Sequence, residues 1–233
     1  PDGRARIDVI ATLRAAAPWQ RLRARHGTAR IVIHPGDIRL RRYEDRSDRL
    51  VIFVVDASGS AAMARLAEAK GAVELLLGQA YARRDHVALV AFRGTGAETL
   101  LPPTRSLVQA KRRLAALPGG GGTPLAAGLQ AAAALSEQAR RRGLTPAFAL
   151  LTDGRANVAL DGTTGRATAR ADAETTAALL RGMTDQGCVI DTAPRPGPEA
   201  TALAGQLAVD CIKLPRADAQ RLSGAIDRAL DGG

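Results

Sequence analysis

Five oxygen-bearing side chains stand out by type and spacing. They are Asp56, Ser58 and Ser60 in the run Asp56-Ala-Ser58-Gly-Ser60, Thr123 after the glycines of Pro118-Gly-Gly-Gly-Gly-Thr123, and Asp153 in Thr152-Asp153-Gly154. Two carboxylates and three hydroxyls, with no His or Cys, make a donor set for a hard cation of the Mg2+ type. The alternation in Asp-x-Ser-x-Ser puts the oxygens on one side of a turning loop. The hydroxyls can then bind an ion directly while the aspartates hold its waters. Neutral hydroxyls offset little of the ion's charge, so such a site stays electrophilic and favours an incoming carboxylate at an open octahedral position. Taken singly, Asp56 or Asp153 reads as a helix cap or turn residue. The metal reading rests on all five residues falling at strand ends in this order.

Rival chemistries fail on particular residues. Gly119-Gly-Gly-Gly-Thr123-Pro124 shares only its glycine content with a phosphate loop, because no Lys precedes the Thr. Gly94-Thr-Gly96 lacks the third glycine of a dinucleotide fingerprint. No nucleotide, ATP included, is expected to bind this chain. His26 and His34 lie in a basic N-terminal stretch and His86 opens an apolar run, so no imidazole is placed to activate Ser58 or Ser60. Cys188 and Cys211 sit in separate apolar runs without CxxC spacing and are expected to be buried, reduced thiols.

The elements that must position the five oxygens follow from periodicity. From residue 50 onward short apolar runs alternate with longer amphipathic ones, the pattern of βα units and a mainly parallel sheet. Leu50–Val55, His86–Phe92, Ala147–Thr152, Cys188–Asp191 and Val209–Lys213 are expected strands. Glu98–Leu101 is expected as a short antiparallel edge strand stopped by Pro102-Pro103. Helices are expected over 61–81, 106–117, 124–142, 166–186, 199–206 and 217–230. Pro124 falls where a first-turn proline belongs. The expectation is an α/β, doubly wound, mainly parallel six-stranded sheet flanked by helices. In such sheets ligands bind beyond the carboxyl ends of the strands, where strand order reverses.

Residues 1–49 break this rhythm and read as a basic extension packing on a domain over 50–233. Asp8–Ala17 looks helical, and Ile31–Ile33 with Ile38–Leu40 looks like a hairpin turning at Pro35-Gly36. The net charge of +10 is concentrated here. Residues 1–50 hold 12 Arg against 6 acids, or +6, which leaves +4 (10 − 6) for the other 183. That distribution suits a solvated face meeting an acidic partner or subunit better than a nucleic-acid groove. No run is long and apolar enough to span a membrane. A soluble chain is expected, cytoplasmic or, in a plant or alga, in the plastid stroma. Because it starts at Pro1, it is expected to be a piece of something longer.

The set Asp56, Ser58, Ser60, Thr123 and Asp153 resembles the metal-ion-dependent adhesion site of von Willebrand factor A (integrin I-like) domains. The flanks narrow the resemblance. Thr12-Leu-Arg-Ala-Ala-Ala-Pro-Trp-Gln20, Arg84-Asp-His-Val-Ala-Leu-Val-Ala-Phe-Arg93, Leu101-Pro-Pro-Thr-Arg-Ser106, Leu117-Pro-Gly-Gly-Gly-Gly-Thr-Pro-Leu125 and Leu151-Thr-Asp-Gly-Arg-Ala-Asn157 are similar to the C-terminal part of magnesium chelatase D subunits. The likeness runs from about residue 6 to 230. One departure is Ala61, where the family usually has Met; Met63 stands two places on, and only local packing is affected.

The resemblance implies a subunit of a ligase that inserts Mg2+ into protoporphyrin IX, driven by ATP, for (bacterio)chlorophyll biosynthesis. Implied partners are the I subunit, which forms an AAA+ ring, the porphyrin-binding H subunit, and the D subunit's own N-terminal AAA+ module. No residue here is expected to be catalytic; the adhesion-site Mg2+ would be a docking point for a partner carboxylate. Two alternatives stay open: the site supplies the substrate Mg2+, or the domain belongs to a cobaltochelatase-like or generic adhesion-type protein.

Overall fold

The computed structural model describes residues 6–23, 31–41, 48–58, 77–78, 80–116, 119–184, 186–193, 195 and 197–213. Ser60, most of the helix expected over 61–81 and the helix expected over 217–230 lie outside the described residues. The chain divides into two compact units, Pro1–Arg46 and Ser47–Gly233.

In the first unit, β1 (Arg6–Ile7) leads into α1 (Val9–Ala16). Asp8 caps this helix, its carboxylate accepting the Ala11 N–H at 2.9 Å, the bond that satisfies one of the free donors of a first turn. The expected hairpin between 31–33 and 38–40 is absent. Instead Pro35–Asp37 forms a 3-10 turn, and β2 (Leu40–Arg41) pairs antiparallel with β1. Side chains explain the difference by satisfying the backbone that a hairpin would have used. Gln20 donates to Val32 O at 2.8 Å and accepts the Val32 N–H at 2.9 Å. The Asp37 carboxylate accepts the His34 N–H at 2.8 Å and forms a two-pronged pair with Arg23, whose Nη2 lies 2.9 Å from Asp37 Oδ1.

Asp37 is buried, and the Arg23 pair followed by the His34 N–H holds its carboxyl down at about 2, against 3.8 for an unhindered one. A depressed folded value means that the contribution is complete above pH 3.8 and is lost as the pH falls towards 2. The Val32 and His34 amides are therefore expected to lose hydrogen-exchange protection across that window. In Asp37→Asn they should already be weakly protected at pH 6 and should show no further acid step.

The second unit is an α/β sandwich built on one sheet, in the order β5-β4-β3-β6-β7-β8. Its strands are β3 (Arg49–Asp56), β4 (His86–Arg93), β5 (Gly96–Thr104), β6 (Thr145–Thr152), β7 (Gly187–Asp191) and β8 (Asp210–Lys213). All neighbours are parallel except β4 and β5. β3 is buried along its length after Arg49, as expected for a continuous apolar run covered on both faces. The edge strand β5 is longer than expected and continues through Pro102-Pro103. Its pairing slips between Leu89 opposite Leu101 and Val87 opposite Thr104, so the prolines fall in an irregularity where no ladder N–H is needed.

Among the described residues the helices with both ends in view are α2 (Leu107–Ala115), α3 (Leu125–Arg141), α4 (Arg166–Met183) and α5 (Pro198–Leu207). Pro124 occupies the cap position of α3, one residue before the helix. α4 stops three residues short of Gln186, because Thr184 turns extended and donates its hydroxyl to Pro146 O at 2.6 Å. Side-chain alternation sends Val51, Phe53 and Val55 to one face of the sheet and Leu50, Ile52 and Val54 to the other. The second face packs on α3 through Leu125, Leu129 and Ala132, on α4 through Ala173 and Ala177, and on α5 through Leu203 and Leu207. With so few aromatics, ring volume is accommodated by glycine: a Cβ on Gly128 would lie 2.5 Å from Phe92, and one on Gly187 the same distance from Phe148. Cys188 is fully buried, which pushes its thiol up to about 12, whereas Cys211 is only half-buried. Among the described residues no helix is long and apolar enough to cross a membrane.

Candidate metal centre

Strand order reverses at β3, with β4 on one side and, after the crossover through α2 and α3, β6 on the other. The loops leaving β3 and β6 therefore flank a crevice at the carboxyl edge of the sheet, where open α/β folds bind ligands. Asp56 ends β3, is 8% exposed, and continues the alternation onto the face carrying α3 to α5. Its Oδ1 accepts the Ser58 N–H at 2.9 Å and its Oδ2 accepts the Thr152 hydroxyl at 3.1 Å. Burial pushes this carboxyl up, partly offset by the Ser58 hydrogen bonds, and the Asp153 charge raises it further. A buried carboxylate repelled by a second one is an arrangement that a cation relieves.

Thr123 donates its hydroxyl to Ser58 Oγ at 2.7 Å, bringing two of the three expected hydroxyls together across 65 residues of chain. Three contacts place Thr123. Gly120 N–H donates to Ala57 O at 2.9 Å, the Thr123 N–H donates to Asn157 Oδ1 at 2.6 Å, and the Asn157 N–H returns to Thr123 O at 3.2 Å. The loop has to be glycine for this approach. Gly121 has φ +93°, and a Cβ on Gly122 would lie 2.5 Å from Val158 and 2.8 Å from Gly94 O. Asp153 is half-buried at the start of the next loop, its Oδ1 accepting the Arg155 N–H at 3.0 Å.

Asp56, Ser58 and Thr123 thus form one hydrogen-bonded cluster with Asp153 in electrostatic reach, and Ser60 lies outside the described residues. Thr152 and Asn157 were assigned no role from sequence. Thr152 ends its strand on the same face as Asp56, a signal that strand alternation carries; nothing in the sequence marks Asn157 as the clamp on Thr123. Among the described residues no three His, Cys, Asp or Glu side chains come together. The donors present, hydroxyls backed by two carboxylates, fit a hard ion such as Mg2+ and not a soft one. Held there, the ion would supply a Lewis-acidic position for an anionic oxygen, with Ser58 and Thr123 as candidate direct ligands.

The family model for the von Willebrand factor type A domain matches residues 51–155, which contain all five of these side chains. Residues 1–42 match the AAPxQ domain and contain Ala16-Ala-Pro-Trp-Gln20, which ends in the Gln20 that clamps Val32. The magnesium-chelatase 60 kDa subunit of Cereibacter sphaeroides is 63% identical over 228 residues, 97% of this chain. That of Rhodobacter capsulatus is 54% identical over 231 residues, again 97% of the chain. The chain belongs to the magnesium-chelatase 60/67 kDa subunit family. It represents the von Willebrand factor A-type part of such a D subunit and spans 41% of the length of each of these two relatives. Among solved structures, a von Willebrand factor type A protein from Catenulispora acidiphila matches with a TM-score of 0.57 and 21% identity, over 79% of this chain and 42% of that one. That likeness supports the fold alone. Within the chelatase family, the doubly wound sheet and its carboxyl-edge crevice are thus the scaffold on which this hydroxyl-rich cluster is built.

Proposed function

We propose that this part of the D subunit is a Mg2+-dependent docking domain with no catalytic residue of its own. The observation that carries the reading is the Ser58–Thr123 hydroxyl pair set beside the buried Asp56. An ion bound by Ser58, Ser60 and Thr123, with Asp56 and Asp153 holding its waters, keeps most of its charge and accepts a carboxylate from another protein. That carboxylate comes from the AAA+ I subunit, the porphyrin-binding H subunit or the D subunit's own AAA+ module. Docking through the ion couples ATP-driven motion of the ring to Mg2+ insertion into protoporphyrin IX, in the cytoplasm or plastid stroma. ATP itself is bound elsewhere in the assembly.

Asp153 provides a test in the full-length D subunit. It is half-buried in a loop and its carboxylate accepts a local N–H, that of Arg155, so Asp153→Ala should fold normally. Loss of an outer-sphere ligand typically weakens metal sites by about 10- to 100-fold. Subunit association at limiting Mg2+ should fall by a comparable factor, and the chelation rate with it. A folded variant that assembles normally and chelates at the full rate would contradict the proposal.

A further inference from the structure

The first unit hides almost none of its apolar side chains. Among its described residues only Thr12, Ala16 and Asp37 are buried. Val9, Ile10 and Leu13 adjoin on α1 at the three- and four-residue spacings that share a helix face. They are exposed, as are Trp19 and Leu22 beyond the helix and the cross-strand pair Ile7 and Leu40, with exposures from 36% to 80%. Single apolar residues on a surface are ordinary, but this many on so short a stretch mark an interaction surface. Their setting is basic. Pro1–Arg46 holds 11 Arg against 5 acids, or +6 (11 − 5). Two of those acids are already engaged, Asp8 in capping α1 and Asp37 in holding Arg23. Arg14, four residues from Ile10 on α1, and Arg21, next to Leu22, are both exposed.

We infer that this face is a permanent, metal-independent interface, covered by an acid-rimmed apolar surface on the part of the D subunit outside this chain. Aliphatic and Trp side chains at the centre of a contact characterise interfaces that do not come apart, whereas transient ones are more polar. Charge decides what covers it. A second copy would bring +6 against +6, and like charges facing each other across an interface oppose association. A surface with acids around an apolar centre meets both the side chains and the arginines. Most of each D-subunit relative lies outside this chain, which spans 41% of it, and a surface on the same polypeptide is held at high effective concentration. This contact goes beyond the docking reading and does not depend on it, since all five metal-centre residues belong to the second unit.

Hydrogen exchange read by mass spectrometry, on the full-length D subunit and on this 233-residue chain, provides the test. In the full-length subunit the α1 amides should exchange about tenfold or more slowly than in the chain, equally in Mg2+ and in EDTA. Ile10→Ser/Leu13→Ser should abolish that difference yet leave the melting temperature of the 233-residue chain unchanged, because both side chains are exposed there. Arg14→Glu/Arg21→Glu should reduce the difference. Equal exchange in the two proteins, protection that vanishes in EDTA, or protection indifferent to the arginines overturns the inference, and a lowered melting temperature would make the face part of this chain's own core. Trp19, the sole tryptophan, reports the competing occupants. Its emission in the 233-residue chain should not shift on concentrating the protein or on adding phosphatidylglycerol vesicles. A blue shift on concentration would assign the face to a second copy, and one with vesicles to a membrane surface; either overturns the inference.

Discussion

Asp56→Asn is expected to lower Mg2+ affinity by about 10- to 100-fold while leaving the metal-free domain at least as thermally stable as the wild type. The two halves of this result have one cause. Without an ion the Asp56 carboxylate is a buried charge, disfavoured by desolvation and by Asp153. Asparagine removes that charge and keeps an acceptor for the Ser58 N–H. With an ion the same charge becomes an asset, which the amide lacks. Mg2+ at a hundred times its dissociation constant stabilises a folded protein by about 2.7 kcal/mol, or about 5–10 °C in a domain of this size. Differential scanning calorimetry should show that increment in the wild type and little of it in Asp56→Asn at the same Mg2+ concentration. An equal increment in both would remove Asp56 from the site.

The second large effect is in the core under the site. Phe92 is fully buried near the end of β4, packs against Gly128 of α3, and its carbonyl accepts the Ala57 N–H at 3.1 Å. Phe92→Ala is expected to cost about 3–5 kcal/mol, the transfer term plus an unfilled cavity, measured by urea denaturation. The cavity would lie between β4 and the helix that follows Thr123, so Mg2+ affinity should fall as well. Phe92→Leu alone and Gly128→Ala alone should each destabilise, the second because its Cβ would sit 2.5 Å from the ring. Together they should cost less than the sum, since the smaller side chain makes room for the added methyl. Strict additivity would mean that Gly128 is not there to seat the ring.

Comparing expectation with structure shows which physical signals are local. β3 and β6 were legible because burial on both faces demands an unbroken apolar run, and Leu50–Val55 and Ala147–Thr152 have one. β5 was cut short at Pro102 because the register slip that accommodates both prolines is a property of the β4–β5 pairing, not of either strand. The hairpin expected around Pro35-Gly36 failed for a related reason. Gln20 and Asp37, 12 and 3 residues from the backbone they bind, satisfy groups that a hairpin would otherwise have paired. At the site, Asp56, Ser58, Thr123 and Asp153 were legible as oxygen donors at strand and loop ends. Thr152 and Asn157 were not, because their contribution is to hold Asp56 and Thr123 in place, and only the crossing of three loops reveals it.

The docking claim is tested most directly by size-exclusion co-elution of this chain with purified I subunit, H subunit or the D subunit's own AAA+ module, in Mg2+ and in EDTA, using the wild type and Ser58→Ala/Asp153→Ala. Circular dichroism establishes that both proteins are folded. The account predicts a complex with at least one of the three for the wild type in Mg2+, none in EDTA and none for the folded variant under either condition. A complex that forms equally well in EDTA, or with the variant, would contradict the metal centre as the docking element.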